Sequence, residues 1–266
     1  MAPSLPSASA RVPSTRRGIQ SIEVGGELLK ALAHHGRALP LKELAAAASM
    51  APAKAHPYLV SFGKLGLIEQ DAGTGHYGLG PLAMQLGLIS LQQLDPVALA
   101  TAVIEPLAQA IAHTVAIAVW GDAGATIVRV ARPASAIYVS MRHGTVMSLR
   151  GTASGLLFAA HRPQQQLLPL LHDRAAARGA GRIDPALQRT LATVRREGLA
   201  RVKDALVPGI SALALPVFDG RGTMVLALTA IGPTATFDSR RQGGVAQALR
   251  EAAVSLSSRL GYRAAA

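Results

Sequence analysis

Cysteine is missing from all 266 residues of the chain. Its absence excludes disulfide frameworks, thiolate zinc sites and cysteine nucleophiles, and it fits a reducing, cytoplasmic setting. Aromatic residues make up only 3%, with one Trp, four Tyr and four Phe. Stacking platforms for single-stranded nucleic acid or unpaired bases are therefore not expected. No run of 18 or more apolar residues occurs, so nothing reads as a membrane span. Acids are also scarce, 15 against 27 Lys and Arg, for a formal net charge of +12. Clustered Lys and Arg displace counterions from phosphates, so this balance invites a nucleic-acid reading. Its distribution does not locate a face: residues 1 to 80 carry eight basic and five acidic side chains, and the other 19 and 10 are spread over the rest.

Half of the chain is hydrophobic, enough for one large core or two modest ones, and the length favours two domains. Residues 1–18, MAPSLPSASARVPSTRRG, lack acids and the continuous apolar stretch of a secretory signal. They read as a disordered basic arm, with an organelle transit peptide as the alternative.

From Ile19 the apolar spacing turns helical, with Ile22, Leu28, Leu29, Leu32 and Ala33 near one face and Gly36 as a stop. Leu41 to Ala48 repeats the pattern, and a tight turn is expected at Ser49. Two short extended runs, Leu67 to Gln70 and His76 to Leu79, flank the turn residues Asp71 to Gly75 as a hairpin. Three helices followed by a hairpin is the winged helix-turn-helix order. Pro81 to Leu94 is again helical, and Asp95-Pro96 gives a cap followed by proline at the first helical position.

Beyond it, strands are expected at Thr114 to Trp120, Thr126 to Ala131, Ile137 to Met141, Thr145 to Leu149, Ser211 to Phe218 and Met224 to Ile231. Helices are expected at Ser154 to Ala160, Gln164 to Leu171 and Asp184 to Glu197. A closing helix from about Asp238 places Val245, Leu249, Ala252, Leu256 and Leu260 on one face. Strands grouped in hairpins, with helices around them, describe an α+β domain on an antiparallel sheet. The absence of βαβ alternation disfavours a Rossmann fold.

No catalytic residue, cofactor or metal site is assigned. Asp95, Asp122, Asp184, Asp219 and Asp238 sit at helix starts or turns, where capping accounts for them. Gly151-Thr152-Ala153-Ser154-Gly155 misses the GxSxG spacing, and reads as a turn opening a helix whose free N–H groups can hold an anion. The eight His never fall four apart on one helix, as HExxH-type metal sites require.

Four stretches in order, MAPAKAHPYLVSFGKLGLIEQ, GTGHYGLGPLAMQLGL, GTASGLLFAA and GLARVKDALVPGISALALPVFDGRGTMVLALTAIGP, resemble the isocitrate-lyase-regulator (IclR) family of bacterial transcription factors. The likeness runs from Ile19 to Tyr262. It implies a winged helix-turn-helix over 19–80, linker helices over 81–105 and a GAF-like antiparallel-sheet effector domain over 106–263. It also implies a homodimer or dimer of dimers that binds double-stranded operator DNA of a catabolic operon and answers to a small organic or aromatic acid.

Carried onto this sequence, the resemblance makes Pro52 to Leu65 the recognition helix. The DNA-facing residues it implies are Lys42, Ser49, Lys54, His56, Tyr58, Lys64 and His76. Pro57 stands where the family usually has a basic residue, so the helix either begins late or bends. Tyr58, Leu59, Phe62 and Leu65 remain to pack it. For the effector, the resemblance implies Ala153, Ser154 and Gly155 at a helix start and Trp120, Met141 and Leu149 as apolar walls. Val202, Ala212 and Leu215 face them, and Arg150 or Arg201 would supply charge. The rival reading is a small-molecule-binding protein or enzyme that has lost DNA binding.

Overall fold

The computed structural model describes residues 18–134, 139–171 and 183–263. The expected basic arm lies outside these, apart from Gly18. Two compact units divide the chain, Met1–Gln93 and Leu94–Ala266.

In the first unit, α1 (Gln20–His35) ends at Gly36, whose φ of 66° lets its N–H turn back to the Leu32 carbonyl. Helix α2 (Leu41–Ala47) and helix α3 (Pro52–Lys64) follow, joined through Ser49 at φ 54°. Strands β1 (Ile68–Gln70) and β2 (Tyr77–Leu79) pair antiparallel, and Leu39 bridges to Tyr77 as a third strand position. Leu28, Leu32, Leu39, Leu44, Leu59 and Ile68 form the core these elements share. The string GTGHYG at 73–78 has the glycine spacing of a dinucleotide-binding turn, but here it leads into the second strand of a hairpin and opens no helix. Helix α4 (Pro81–Gln93) closes the unit.

The second unit is a five-stranded antiparallel sheet in the order β4-β3-β7-β6-β5. Its strands are β3 (Thr114–Gly121), β4 (Gly124–Ala131), β5 (Ala200–Lys203), β6 (Ile210–Phe218) and β7 (Met224–Pro233). One face carries Val115, Ile117, Leu213, Leu215, Leu226 and Leu228 against α5 (Pro96–Ile111) and α9 (Gly244–Arg259). The alternate residues, Ala116, Ala118, Ala212, Ala214 and Ala227, face α6 (Ala153–His161), α7 (Gln164–Leu171) and α8 (Pro185–Glu197). Side chains alternate across a strand, so one apolar run feeds two cores. Large residues on one face and alanines on the other let α6 approach closely enough that Ala153 to Ala160 are all buried.

Several boundaries differ from the sequence expectation. No strand forms at 145–149; Val146 makes an isolated bridge to Thr126, and Met147 N–H donates to the Ala125 carbonyl. Of the strand expected at 137–141, positions 137 and 138 lie outside the described residues, and 139–141 has no regular structure. Strand β5 is an addition, a four-residue edge strand too short to stand out. The closing helix starts at Gly244, because the Asp238 carboxylate takes the Arg240 N–H and holds 238–243 in a turn.

Candidate functional site

Helix α3 begins at Pro52, in the first-turn position proline tolerates, and runs unbroken through Pro57. The late start is thereby excluded. Pro57 cannot donate to the Ala53 carbonyl, a defect of about 3 kcal/mol in a helix interior. Ala53 and Pro57 are exposed, so water reaches that carbonyl, and Ser61 Oγ donates to the Pro57 carbonyl at 2.9 Å. Ala55 and Leu59 are buried. The opposite stripe, at four, three and four residues, is Ala53, Pro57, Val60 and Lys64, all exposed, with Lys54, His56 and Ser61 exposed beside it. No acid occurs on α3.

Lys42, Ser49, Lys54, His56 and Lys64 are on the surface of this unit. Tyr58 is half-buried, and its ring lies against α1 at Gly25, where an added methyl would clash with it. Leu65 does the reverse of what was expected, being 60% exposed rather than packed. His76 is half-buried at the hairpin base, where its charge acts on Asp71. The tip is Ala72 to Thr74. The Asp71 carboxylate accepts from Thr74 Oγ1 and N–H at 2.7 Å and from Gly73 N–H at 3.1 Å, bonds that hold its pKa below the usual carboxylate value.

In the second unit a cavity of about 530 Å³ opens at the start of α6, within the usual size of a small-molecule site. Ala153 and Ser154 stand at the first two helical positions, and their N–H groups have no intrahelical acceptor. Thr152 caps the helix, taking the Gly155 N–H at 3.1 Å while its hydroxyl donates to the Ser148 carbonyl at 2.8 Å. The sheet floor is Ala212, Thr229 and Ile231, and the walls are Met141, Met147, Val202, Leu206, Val207 and Ile210. Thr114 Oγ1 donates to the Val139 carbonyl at 2.8 Å and ties the 139–147 wall to the sheet. Among the described residues, Arg142 is the one charged side chain on the lining, and no carboxylate joins it. A helix start, a lone guanidinium and apolar walls suit an anion with an apolar body. A neighbouring opening of about 560 Å³ shares Met141 and Arg142, but it carries Glu105 and has no helix start.

The cavity brings together Met141, Ala153, Ser154, Val202 and Ala212. It leaves out four expected residues. Trp120 packs against Phe158 with tilted rings, their centroids 5.8 Å apart, and lies under the Arg162 guanidinium. Leu149 is buried in the core beneath α6. Gly155 is one residue too far along; a methyl there would collide with the Ser148 carbonyl, so glycine serves the close approach of two backbones. Leu215 faces the other core, because three residues separate it from Ala212 and an odd step on a strand changes face.

The expected charges are elsewhere too. Arg150 lies 3.6 Å from Asp184, and Arg201 reaches Ser239. Sequence reasoning missed Arg142, Ser140, Thr145 and Thr229. Thr229 had a usable signal, a lone hydroxyl on the alanine face of an apolar strand. Among the described residues, no group of three or more His, Asp or Glu could hold a metal ion. None of the described helices is long and apolar enough to cross a membrane.

The bacterial transcriptional regulator IclR C-terminal model matches residues 89–258, and the IclR helix-turn-helix model matches residues 21–72. The glycerol operon regulatory protein of Streptomyces coelicolor is 30% identical over 218 residues, covering 81% of this chain and 85% of that protein. The transcriptional repressor IclR of Escherichia coli is 26% identical, covering 85% and 84%. The crystal structure of Pseudomonas aeruginosa HmgR superposes with a TM-score of 0.86 at 36% identity, over 93% of this chain and 100% of that one. The chain therefore belongs to the IclR family of transcriptional regulators, with a helix-turn-helix domain and an α+β C-terminal domain.

Proposed function

We propose that this regulator binds double-stranded operator DNA through α3 and the β1–β2 wing, and that a small organic or aromatic acid in the α6 cavity changes its operator affinity. The observation that carries the reading is the cavity itself: two helix-start N–H groups without an intrahelical acceptor, Arg142 on the same lining, many apolar walls and, among the described residues, no carboxylate. The carboxylate would sit at Ala153 and Ser154, and the body against Met141, Val202 and Ala212. Few polar groups face it from the floor, which favours an apolar or aromatic body over a short oxoacid. The protein acts as a homodimer or dimer of dimers in the cytoplasm, without catalysis, and controls a catabolic operon. Operon control rests on relatives such as the Streptomyces coelicolor regulator, which is named for an operon.

A ligand shifts an equilibrium only by its differential affinity for the two states. The acid must therefore bind the DNA-competent and DNA-released arrangements unequally. The test of the site is a thermal-shift series that pairs aromatic and aliphatic acids with their uncharged amides. Acids should raise the melting temperature by mass action, amides should not, and Arg142→Gln should weaken the acids' effect. Equal shifts from acid and amide would remove the anion role.

A further inference from the structure

Elsewhere on the second unit, two concavities of about 320 and 640 Å³ share Arg201 and Arg241. The smaller adds Arg189 and Glu197, and the larger adds Arg240 and the Gly243-Gly244 turn. Four arginines from α8, β5 and the turn before α9 thus line these two adjoining concavities. Two carboxylates answer them. Glu197 Oε2 lies 2.8 Å from Arg241 Nε, and Asp238 takes Arg240 through both oxygens at 2.9 Å. Those pairs fix the direction of two guanidinium forks. Arg189 and Arg201 are exposed and not neutralised: Arg189 has no bonded partner among the described residues, and Arg201 has only a 3.4 Å bond to Ser239 Oγ.

An edge strand often carries a charge to discourage pairing with other strands, and that explains Arg201 alone. It does not explain why three further arginines from other elements meet it. Guanidinium groups match phosphate oxygens in bidentate geometry, and a concave cationic surface concentrates its field on a multiply charged anion. A monocarboxylate needs only one such fork. We infer that the Arg189–Arg201–Arg240–Arg241 surface binds phosphate groups, as an anion site separate from the α6 cavity and outside the winged helix. The phosphates would come from the DNA backbone or from a free phosphorylated small molecule.

The test uses the full chain and the double variant Arg189→Gln/Arg201→Gln, which removes only the two unneutralised groups. Arg189→Lys/Arg201→Lys is the charge-keeping control. Inorganic pyrophosphate is titrated calorimetrically, and a random-sequence duplex of about 40 bp is titrated across a salt series. If backbone phosphates are the source, the Gln variant loses about two units of the log-affinity against log-salt slope, roughly 0.9 per phosphate contact, and the Lys variant keeps them. A free phosphorylated ligand instead leaves that slope alone, while the Gln variant loses about tenfold or more in pyrophosphate affinity. Either result supports the inference. A Gln variant indistinguishable from the parent in both titrations overturns it, and because pyrophosphate needs no DNA, that outcome is independent of operator binding.

Discussion

The Ser154 hydroxyl lies 2.9 Å from the Thr229 hydroxyl, and both side chains are buried where α6 meets the floor of the cavity. The bond ties the helix whose start would hold the ligand's charge to the strand that would hold its body. It leaves each hydroxyl dependent on the other. Thr229→Val should strand the Ser154 hydroxyl at a cost of about 1–3 kcal/mol, whereas Ser154→Ala/Thr229→Val should recover much of that loss. A double-mutant cycle by denaturant unfolding measures it. Additive losses would mean that the two hydroxyls are independent.

Gly155→Ala is expected to push α6 away from the Ser148 carbonyl and destabilise the second unit by about 1–3 kcal/mol. Because α6 forms the cavity rim, stabilisation by aromatic acids should fall with it. An unchanged denaturation midpoint would contradict the close backbone contact.

Pro57→Arg restores the N–H that Ala53's carbonyl lacks and puts a guanidinium at the centre of the exposed α3 stripe. If it meets a base or phosphate, the gain is about 1–3 kcal/mol, from severalfold to about a hundredfold in affinity. Electrophoretic mobility shift reads this directly. Unchanged affinity would show that the outward stripe of α3 does not approach the duplex.

Acid should weaken the fold first through two histidines. Burial is the main cause that lowers the pKa of His113 and of His161 from 6.5, and His161 also faces Arg195 and Arg162. Below that pH the unfolded chain takes up protons that the folded chain refuses. Stability should therefore be level above about pH 6.5 and fall as pH drops through the folded values. Asp238, held down to about 2 by Arg240, acts in a separate window below 3.8. Urea denaturation at stepped pH checks the sign, and His161→Gln should flatten part of the decline. A rise in stability between about pH 6.5 and 5 would contradict it.

Much of this architecture was legible in the residues. The period of Leu28 and Leu32 and the Asp71–Gly75 turn marked the winged helix, Asp95-Pro96 marked the start of α5, and apolar runs marked the long strands. What escaped depends on contacts distant in sequence. Tyr58 reads as polar until Gly25 on α1 leaves room for its ring. Leu215 reads as a pocket wall until its odd separation from Ala212 is counted. Arg142 sits in irregular chain whose path is set by Thr114 gripping Val139, a contact no local pattern announces.

The most direct measurement is fluorescence anisotropy of a labelled duplex from upstream of the chain's own coding sequence. It is titrated at low ionic strength with and without the acids that raise the melting temperature. The expected result is binding that weakens steeply with salt, as counterion release requires, and whose midpoint moves when a stabilising acid is present. No binding under either condition would contradict a ligand-responsive operator-binding regulator and favour a small-molecule-binding protein that has lost its DNA.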